Sequence, residues 1–423
     1  MKSVQKITTR LFPVNWYAAV LFLLAALILG FGVVPSFAAD KIVKIGVLAP
    51  MTGGSAADGE EMVRGAQLAV DEINSAGGVN GYKFKIVKGD TKDQVPDAVT
   101  SAFKKITSDP AVGCMITGYA SPTNFEINLM AEINMPYLIS ANSAQTVGII
   151  GKAPEKYPTV WSLTPSYEAY ETELPRLLEI WAKEGKIKLT NRKVAIVTSD
   201  NPYSKTISEG LKKSFPTHGW TVTVDEMVPF GEVHDWRAII SKIRKGPPDM
   251  IVNTDYQPGN EATFVDQFME DPTPSQMFLQ YGPSVPEFIE LTQDMSTGIM
   301  YNLLGGPIMA SKEGRDFAEK FKSEYGIESG PYGHMLYWEV MIYADALKLV
   351  GDPAKKLEIG QAIGKMTKKI SSGTVAFDPK THLAVQGDDY IPIQFFQIWE
   401  GKRTQIWPPQ YATGDVKSAP WVK

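Results

Sequence analysis

Cysteine is almost absent from this chain, since Cys114 is the only one among 423 residues. One cysteine cannot form an intramolecular disulfide, nor a metal site that needs several thiolates. Cys114 lies in an apolar run, where we expect a buried and unreactive thiol. The fold must therefore be stabilised by a hydrophobic core, and an apolar content of 44% is sufficient for one.

Recognisable catalytic and metal-binding motifs are also lacking. The four histidines lie in unrelated sequence contexts, and there is no H-E-x-x-H pair and no G-x-x-x-x-G-K-[ST] phosphate loop. Ser121 stands in Y-A-S-P-T rather than in the G-x-S-x-G turn of serine hydrolases. The sequence therefore predicts a protein that is not an enzyme and that uses no metal and no cofactor.

Acidic residues are missing from the first 39 positions, whereas Lys2, Lys6 and Arg10 are basic. A long apolar stretch follows, and Ser36 and Ala38 stand where signal peptidase requires small residues. This pattern predicts a signal peptide over residues 1–38 and a periplasmic mature protein. The apolar stretch is long enough to span a bilayer, so an uncleaved anchor is the alternative.

Removal of the signal would eliminate three positive charges and change the formal net charge from −5 to −8. Such an acidic protein is poorly suited to bind nucleic acid. No cysteine follows the apolar stretch at a position where a lipid could be attached, so we do not expect a lipoprotein.

Beyond residue 40, runs with strand character alternate with runs of helical periodicity. One such series occupies the first part of the mature chain, and a second begins near residue 190. The pattern predicts an α/β protein with two Rossmann-like lobes, each built on a parallel sheet. Several turns that follow the predicted strands are rich in Ser, Thr, Tyr, Asn and Asp, a composition suited to orienting a small polar ligand.

Ser121 stands at one of these turns. It could cap a helix whose first residue is Pro122, or it could bind an anion at that helix N-terminus. These two interpretations do not exclude each other, and a nucleophilic role is disfavoured. Asp58, followed by Glu61, is similarly interpreted either as a capping box or as a ligand contact.

Six segments make the chain resemble the substrate-binding proteins of branched-chain amino acid ABC transporters. They are, in order, KIGVLAPMTG, GAQLAVDEINSAGGVNG, MITGYASPTN, MPYLISANSA, SDNPYSK and SGPYGHMLYWEVMIYADAL. The resemblance implies a type I periplasmic binding fold, monomeric, with three crossovers near residues 164–167, 305–308 and 373–377. It places lobe 1 at residues 39–164 and 306–373, and lobe 2 at residues 165–305 and 374–423.

The resemblance also implies a set of ligand-binding residues. It assigns the ligand carboxylate to Ser121 and aromatic contacts to three tyrosines. Where the leucine-binding type has a glutamate for the ligand ammonium, this chain has Gln280-Tyr281-Gly282, so Asp58 or Asp255 would have to supply the charge. The candidate residues are Asp58, Ala120, Ser121, Ser143, Ala144, Tyr203, Asp255, Tyr256, Tyr281 and Tyr332.

The expected function is therefore delivery of a small polar or carboxylate ligand to an ABC permease of the inner membrane. An amino acid-like compound, an amide or an aromatic acid would fit, whereas leucine, isoleucine and valine are expected to bind poorly. The alternative is a ligand-sensing domain of the same fold that signals to a membrane partner.

Overall fold

The computed structural model describes residues 41–423, and the predicted signal peptide lies outside this range. Its strands are β1 Lys41–Ala49, β2 Tyr82–Asp90, β3 Val112–Thr117, β4 Tyr137–Ile139, β5 Val160–Ser162, β6 Lys193–Ser199, β7 Thr221–Val228, β8 Met250–Asn253, β9 Gln276–Leu279, β10 Met300–Leu304, β11 Thr367–Ile370, β12 Gly373–Ala376, β13 Ile393–Trp399 and β14 Lys402–Trp407.

The α-helices alternate with these strands over much of the chain. They are α1 Ala56–Ser75, α2 Pro96–Thr107, α3 Glu126–Glu132, α4 Ser143–Ile150, α5 Glu168–Lys183, α6 Pro202–Thr217, α7 Arg237–Lys245, α8 Pro258–Met269, α9 Pro286–Thr292, α10 Lys312–Tyr325, α11 Pro331–Val350 and α12 Lys356–Ile363. Within residues 41–423, no helix has the length and apolar character needed to cross a membrane.

The first lobe is built on a five-stranded sheet in the order β2-β1-β3-β4-β5, in which all pairs are parallel. Strand β3 is buried along its whole length, as expected for a sheet covered on both faces. Its Cys114 is fully buried, and burial raises the pKa of the thiol well above its usual value. The expected buried, unreactive cysteine agrees with this environment.

The second lobe is built on a seven-stranded sheet in the order β14-β13-β10-β9-β8-β6-β7. Strands β6 to β10 are parallel, whereas β13 runs antiparallel to β10, and β14 antiparallel to β13. The predicted parallel sheet is therefore present, with an antiparallel pair of strands added at one edge that the sequence did not indicate. A tight turn at Glu400-Gly401 reverses the chain there, and a hairpin of this kind forces adjacent strands to be antiparallel.

The chain passes between the lobes three times, as the resemblance implied. It leaves the first sheet after β5, returns after β10 to helices that pack on the first lobe, and crosses again between β12 and β13. The two-lobed α/β fold is confirmed, while the residue boundaries given above for the lobes stay predictions.

Helix α11 packs across α1 in the first lobe. The contact depends on Gly65, because a Cβ atom there would lie only 1.8 Å from the carbonyl oxygen of Gly333. The two helix backbones therefore approach more closely than a side chain would permit. This contact fixes Asp58, on α1, relative to Tyr332, on α11.

Candidate ligand-binding cleft

Both sheets change winding direction at a defined strand. Strand β1 has β2 on one side and β3 on the other, and β6 is flanked in the same way by β7 and β8. Ligands of open parallel sheets bind beyond the carboxyl ends of the strands at such points. Here the loops from both lobes meet around one cleft, in which about 60 Å³ is open to the centre of a water-sized sphere. That is several times the space one water molecule needs.

Phenol rings dominate the lining of the cleft. Its seven tyrosines are Tyr119, Tyr167, Tyr170, Tyr203, Tyr256, Tyr281 and Tyr332. Polar groups between them come from Gln94, Ser140, Asn142, Thr164 and Asn201. None of the lining residues contributed by the described part of the chain is Lys, Arg, Asp or Glu. A ligand would thus meet aromatic surface and neutral hydrogen-bonding groups.

The tyrosines contact one another in two groups. Tyr332 packs edge-on against Tyr119, with ring centroids 5.2 Å apart, and lies 5.7 Å from Tyr281. Tyr203 packs edge-on against Tyr167 and Tyr256, at 5.3 and 5.6 Å. Such tilted arrangements stabilise aromatic clusters, so each ring is held in place by its neighbours.

Asp58 lies immediately behind the first group of tyrosines. The hydroxyl of Tyr119 donates to its Oδ2 at 2.7 Å, and that of Tyr281 donates to its Oδ1 at 2.9 Å. Asp58 is only 3% exposed. Burial raises its pKa to about 6, and the two tyrosine hydrogen bonds offset part of that shift. Both of its oxygens accept a hydrogen bond from a phenol, which is the pattern of an ionised carboxylate.

The local geometry of Asp58 differs from a capping box. Helix α1 begins at Ala56 with Ser55 before it, so Asp58 lies inside the first turn and its side chain does not cap the helix. The predicted capping box is therefore wrong. The carboxylate also benefits from the positive end of the helix dipole at this position.

Tyr281 reaches Asp58 through an unusual backbone conformation. Its φ and ψ are 78° and −53°, and the N–H of Gly282 bonds to the carbonyl of Gln280 at 3.1 Å. This is a γ-turn with positive φ, a conformation that is rare and strained for a residue with a side chain. Strain of this kind persists only where surrounding contacts impose it, and the Asp58 hydrogen bond is one of them.

Two hydrogen bonds join the lobes directly across the cleft. One is that between Tyr281 and Asp58, residues separated by 223 positions in the chain. The other runs from Nε2 of Gln94, on the first lobe, to the hydroxyl of Tyr256, on the second, at 2.9 Å. The structure therefore represents a conformation in which the lobes are closed on each other.

Tyr170 and Tyr203, whose ring centroids lie 6.3 Å apart, accept hydrogen bonds from a backbone N–H group and a side-chain amide. The backbone N–H of Leu304 donates to the hydroxyl of Tyr170 at 2.7 Å. Nε2 of Gln280 donates to the hydroxyl of Tyr203 at 3.0 Å. Gln280 itself is fully buried and also donates to Asn302 at 2.9 Å.

Ser121 does not line the cleft, in contrast to the expectation. It is fully buried, and its hydroxyl donates to Glu126 at 2.5 Å while its backbone N–H donates to the same carboxyl at 3.2 Å. Helix α3 begins only at Glu126, so the predicted helix start at Pro122 and the cap at Ser121 are wrong. Asn142, which does line the cleft, donates to the carbonyl of Ser121 at 2.8 Å.

Four of the ten candidate residues lie on the cleft surface: Tyr203, Tyr256, Tyr281 and Tyr332. Asp58 lies one layer behind. Ser143 is buried and its hydroxyl has no partner among the described residues, and Asp255 is held by Asn260 at 2.9 Å. Ala120 is buried in the core of the first lobe, and Ala144 packs against the aromatic core of the second.

Several lining residues were not predicted from the sequence, in particular Tyr119, Tyr167 and Tyr170. Tyr119 follows β3 within two residues, so its position at a strand end was a usable signal. Tyr167 and Tyr170 lie at the start of α5, in a crossover, where no strand-end rule applies.

Residues 42–397 match the family described as periplasmic binding protein. The chain belongs to this family. Its described relatives include the Leu/Ile/Val-binding protein BraC3 of Rhizobium johnstonii, 28% identical over 56% of this chain and 60% of that protein. Leu/Ile/Val-binding protein homolog 7 of Brucella suis is 25% identical over 90% of this chain and 94% of its own length.

Solved structures show the same fold as this binding protein. A putative branched-chain amino acid ABC transporter protein from Silicibacter pomeroyi is 28% identical, with a TM-score of 0.80 over 90% of this chain and all of the other. A solute-binding protein from R. palustris in complex with benzoate has a TM-score of 0.72 at 18% identity, over 90% and 99% of the two chains. The family resemblance derived from the sequence is thereby confirmed.

Proposed function

We propose that this binding protein closes its two lobes on one small ligand in the periplasm and delivers it to an ABC permease of the inner membrane. The observation that supports this most directly is the cleft itself. Both lobes contribute to it, two hydrogen bonds cross it, and the residues from 41 onwards line it with seven tyrosines and with no charged side chain.

Closure provides the physical link between binding and delivery. A ligand shifts the equilibrium towards the closed form only if it interacts more favourably with that form than with the open one. Here the rings of Tyr119 and Tyr332 come from one lobe and those of Tyr203 and Tyr256 from the other. A ligand that contacts both lobes gains its contacts with the second of them only on closure.

The lining favours a compound with an aromatic or apolar body and a few neutral polar groups. Tyrosine rings bury apolar surface while their hydroxyls orient polar substituents. An amino acid-like compound, an amide or an aromatic acid meets this description. Leucine, isoleucine and valine are expected to bind less well, because none of the described lining residues is a carboxylate that could pair with an ammonium group.

Identification of the bound molecule tests this function. Protein purified from a native envelope extract without added ligand should release a small molecule on denaturation, detectable by mass spectrometry. Addition of that molecule at 100 times its dissociation constant should stabilise the ligand-free protein by about 2.7 kcal/mol in a thermal-shift assay. The absence of any released molecule, together with no stabilisation by amino acids, amides or aromatic acids, would contradict the proposal.

A further inference from the structure

We infer that Asp58 is a positioning residue that sets the hydrogen-bond polarity of the cleft, so that the ligand must present an N–H donor to Tyr119 and Tyr281. This inference rests on the proposed ligand-binding function and narrows its substrate class. It selects amides and amino acid-like compounds and excludes compounds whose only polar group is a carboxylate.

The polarity follows from the number of protons available. A phenol hydroxyl has one proton, and an ionised carboxylate can only accept hydrogen bonds. Each oxygen of Asp58 receives one phenol proton, from Tyr119 at 2.7 Å and from Tyr281 at 2.9 Å. Both hydroxyls therefore use their only proton in the hydrogen bond to Asp58. Towards the cleft they can only accept a hydrogen bond, through the lone pairs of their oxygens.

The negative charge behind these hydroxyls strengthens their role as acceptors. Asp58 is almost fully buried, and its field is weakly screened by solvent. Hydrogen bonds in such chains polarise one another, so a phenol oxygen that donates to a carboxylate becomes a better acceptor. An amide NH₂ fits this site best. An ammonium group fits less well, because it would meet phenol oxygens and not the carboxylate itself, and a ligand carboxylate would face two sets of lone pairs with an anion behind them.

The opposite side of the cleft has the reverse polarity. A backbone N–H can only donate, so the bond from Leu304 to Tyr170 makes that hydroxyl an acceptor and leaves its proton available. Tyr256 likewise accepts from Gln94 and retains its own proton for the cleft. A carbonyl or carboxylate oxygen of the ligand would be received on this side.

Matched pairs of probes test the inference directly. Benzamide and benzoate differ in the N–H donor, as do phenylalanine and 3-phenylpropanoate. Affinities should be measured by calorimetry on the ligand-free wild-type protein. In every pair that binds, we expect the nitrogen-bearing member to bind at least tenfold more tightly than the acid. Tighter binding of the acid members would overturn the inference and leave the proposed function standing.

The substitution Asp58→Asn provides the decisive variant. The amide of asparagine accepts from one tyrosine but donates to the other, which must then turn its proton into the cleft. We expect the preference for the nitrogen-bearing probes to fall at least tenfold. An equal loss of affinity for both members of a pair would show a merely structural role and would contradict the inference.

Glu126→Gln serves as the matched control. Glu126 is also a fully buried acid of the first lobe with two donors, but it does not line the cleft. This variant should change stability without changing the ratio of affinities within a pair. If the ratio changed as much in Glu126→Gln as in Asp58→Asn, the effect would not be specific to Asp58 and the inference would be contradicted.

A pH titration gives a readout independent of any variant. Because burial raises the pKa of Asp58 to about 6, preference for benzamide over benzoate should decline as the pH falls below that value in the wild type but not in Asp58→Asn. The groups that face Asp58 are Tyr119 and Tyr281, with Tyr332, Tyr256, Glu287 and Glu61 at longer range. A wild-type preference that is flat over this range would contradict the inference.

The ligand carried through purification gives a final arm that needs no choice of probe. Its mass and fragmentation should show nitrogen bound to hydrogen. A bound molecule without such a group would overturn the inference alone, whereas a protein that carries no ligand and responds to none of the four probes would overturn both the inference and the proposed function.

Discussion

The two sides of the cleft present the same side chain, tyrosine, with opposite hydrogen-bond polarity. We call the side formed by Tyr119 and Tyr281 the acid-backed wall, because both hydroxyls donate to Asp58, which lies behind them. The side formed by Tyr170 and Tyr203 is the amide-backed wall, because Leu304 N–H and Gln280 donate to it. The comparison teaches that the layer behind a phenol decides whether it donates to a ligand or accepts from it.

The acid-backed wall also rests on further buried carboxyls. Glu61 accepts from the backbone N–H of Gly333 at 2.6 Å and from Ser329 at 2.8 Å, and its other oxygen has no partner among the described residues. Glu339 accepts from the hydroxyl of Ser140. Burial raises the pKa of Glu61 to about 8 and that of Glu339 well above its usual value. These groups make the first lobe sensitive to pH.

A substitution that separates α1 from α11 should have the largest effect on stability. It displaces the acid-backed wall and leaves the amide-backed wall in place. In Gly65→Ala the new Cβ atom would clash with the backbone carbonyl of Gly333, which cannot move aside as a side chain could. We expect a loss of at least about 3 kcal/mol in the free energy of unfolding, measured by denaturant titration.

The matched control is Gly148→Ala. Gly148 lies exposed in α4 and a Cβ atom there would contact nothing within 4 Å, so this helical substitution should be neutral or stabilise by up to about 1 kcal/mol. Equal stabilities of the two variants would show that the contact of α1 with α11 is not close.

Replacing Glu61 should remove a pH dependence specific to the acid-backed wall. The folded-state pKa of about 8 lies above the usual 4.5, so the folded protein binds the extra proton, and stability falls as the pH rises through this window. Between pH 6 and pH 8 the loss due to Glu61 is about 2 kcal/mol. Chemical denaturation at several pH values should show a smaller decline of the free energy of unfolding with pH in Glu61→Gln than in the wild type. Equal pH dependence in the two proteins would refute the assignment to Glu61.

Removing a donor from Glu126 should produce an intermediate effect on stability. Ser121→Ala takes a hydrogen bond from a buried carboxyl and should cost about 1–3 kcal/mol, while ligand affinity stays within a few-fold of wild type. Ser143→Ala is the control, because the Ser143 hydroxyl is buried and has no hydrogen-bond partner among the described residues. Its free energy of unfolding should differ from that of the wild type by no more than about 0.5 kcal/mol. A large affinity loss in Ser121→Ala without destabilisation would instead support the anion-binding interpretation.

The smallest effect is expected at the bond between Gln94 and Tyr256, which joins the lobes outside the acid-backed wall. Tyr256→Phe removes the acceptor and should weaken closure by about 1 kcal/mol, or about fivefold in ligand affinity. A double-mutant cycle with Gln94→Ala isolates the pair. A coupling energy of zero would mean that this bond does not contribute to closure.

Much of the fold was predictable, because its determinants are local in the sequence. Apolar periodicity located the alternating strands and helices, and the strand-end rule drew attention to the polar turns. The family resemblance then pointed to Tyr203, Tyr256 and Tyr281 within those turns. The antiparallel edge of the second sheet and the late start of α3 at Glu126 were missed. In the latter case Pro122 supplied a helix-start signal that the buried Ser121–Glu126 contact overrode.

The class of the protein could be inferred from the amino-acid sequence, since composition, periodicity and the order of its segments are properties of the chain. Which groups share the cleft, and in which direction their hydroxyls point, depends on how the two lobes come together. Asp58 and Tyr281 are 223 residues apart, and Ser121 faces a carboxyl rather than the cleft. A hydrogen bond depends on distance and angle in space, and no period or motif along the chain encodes these for residues brought together from different lobes.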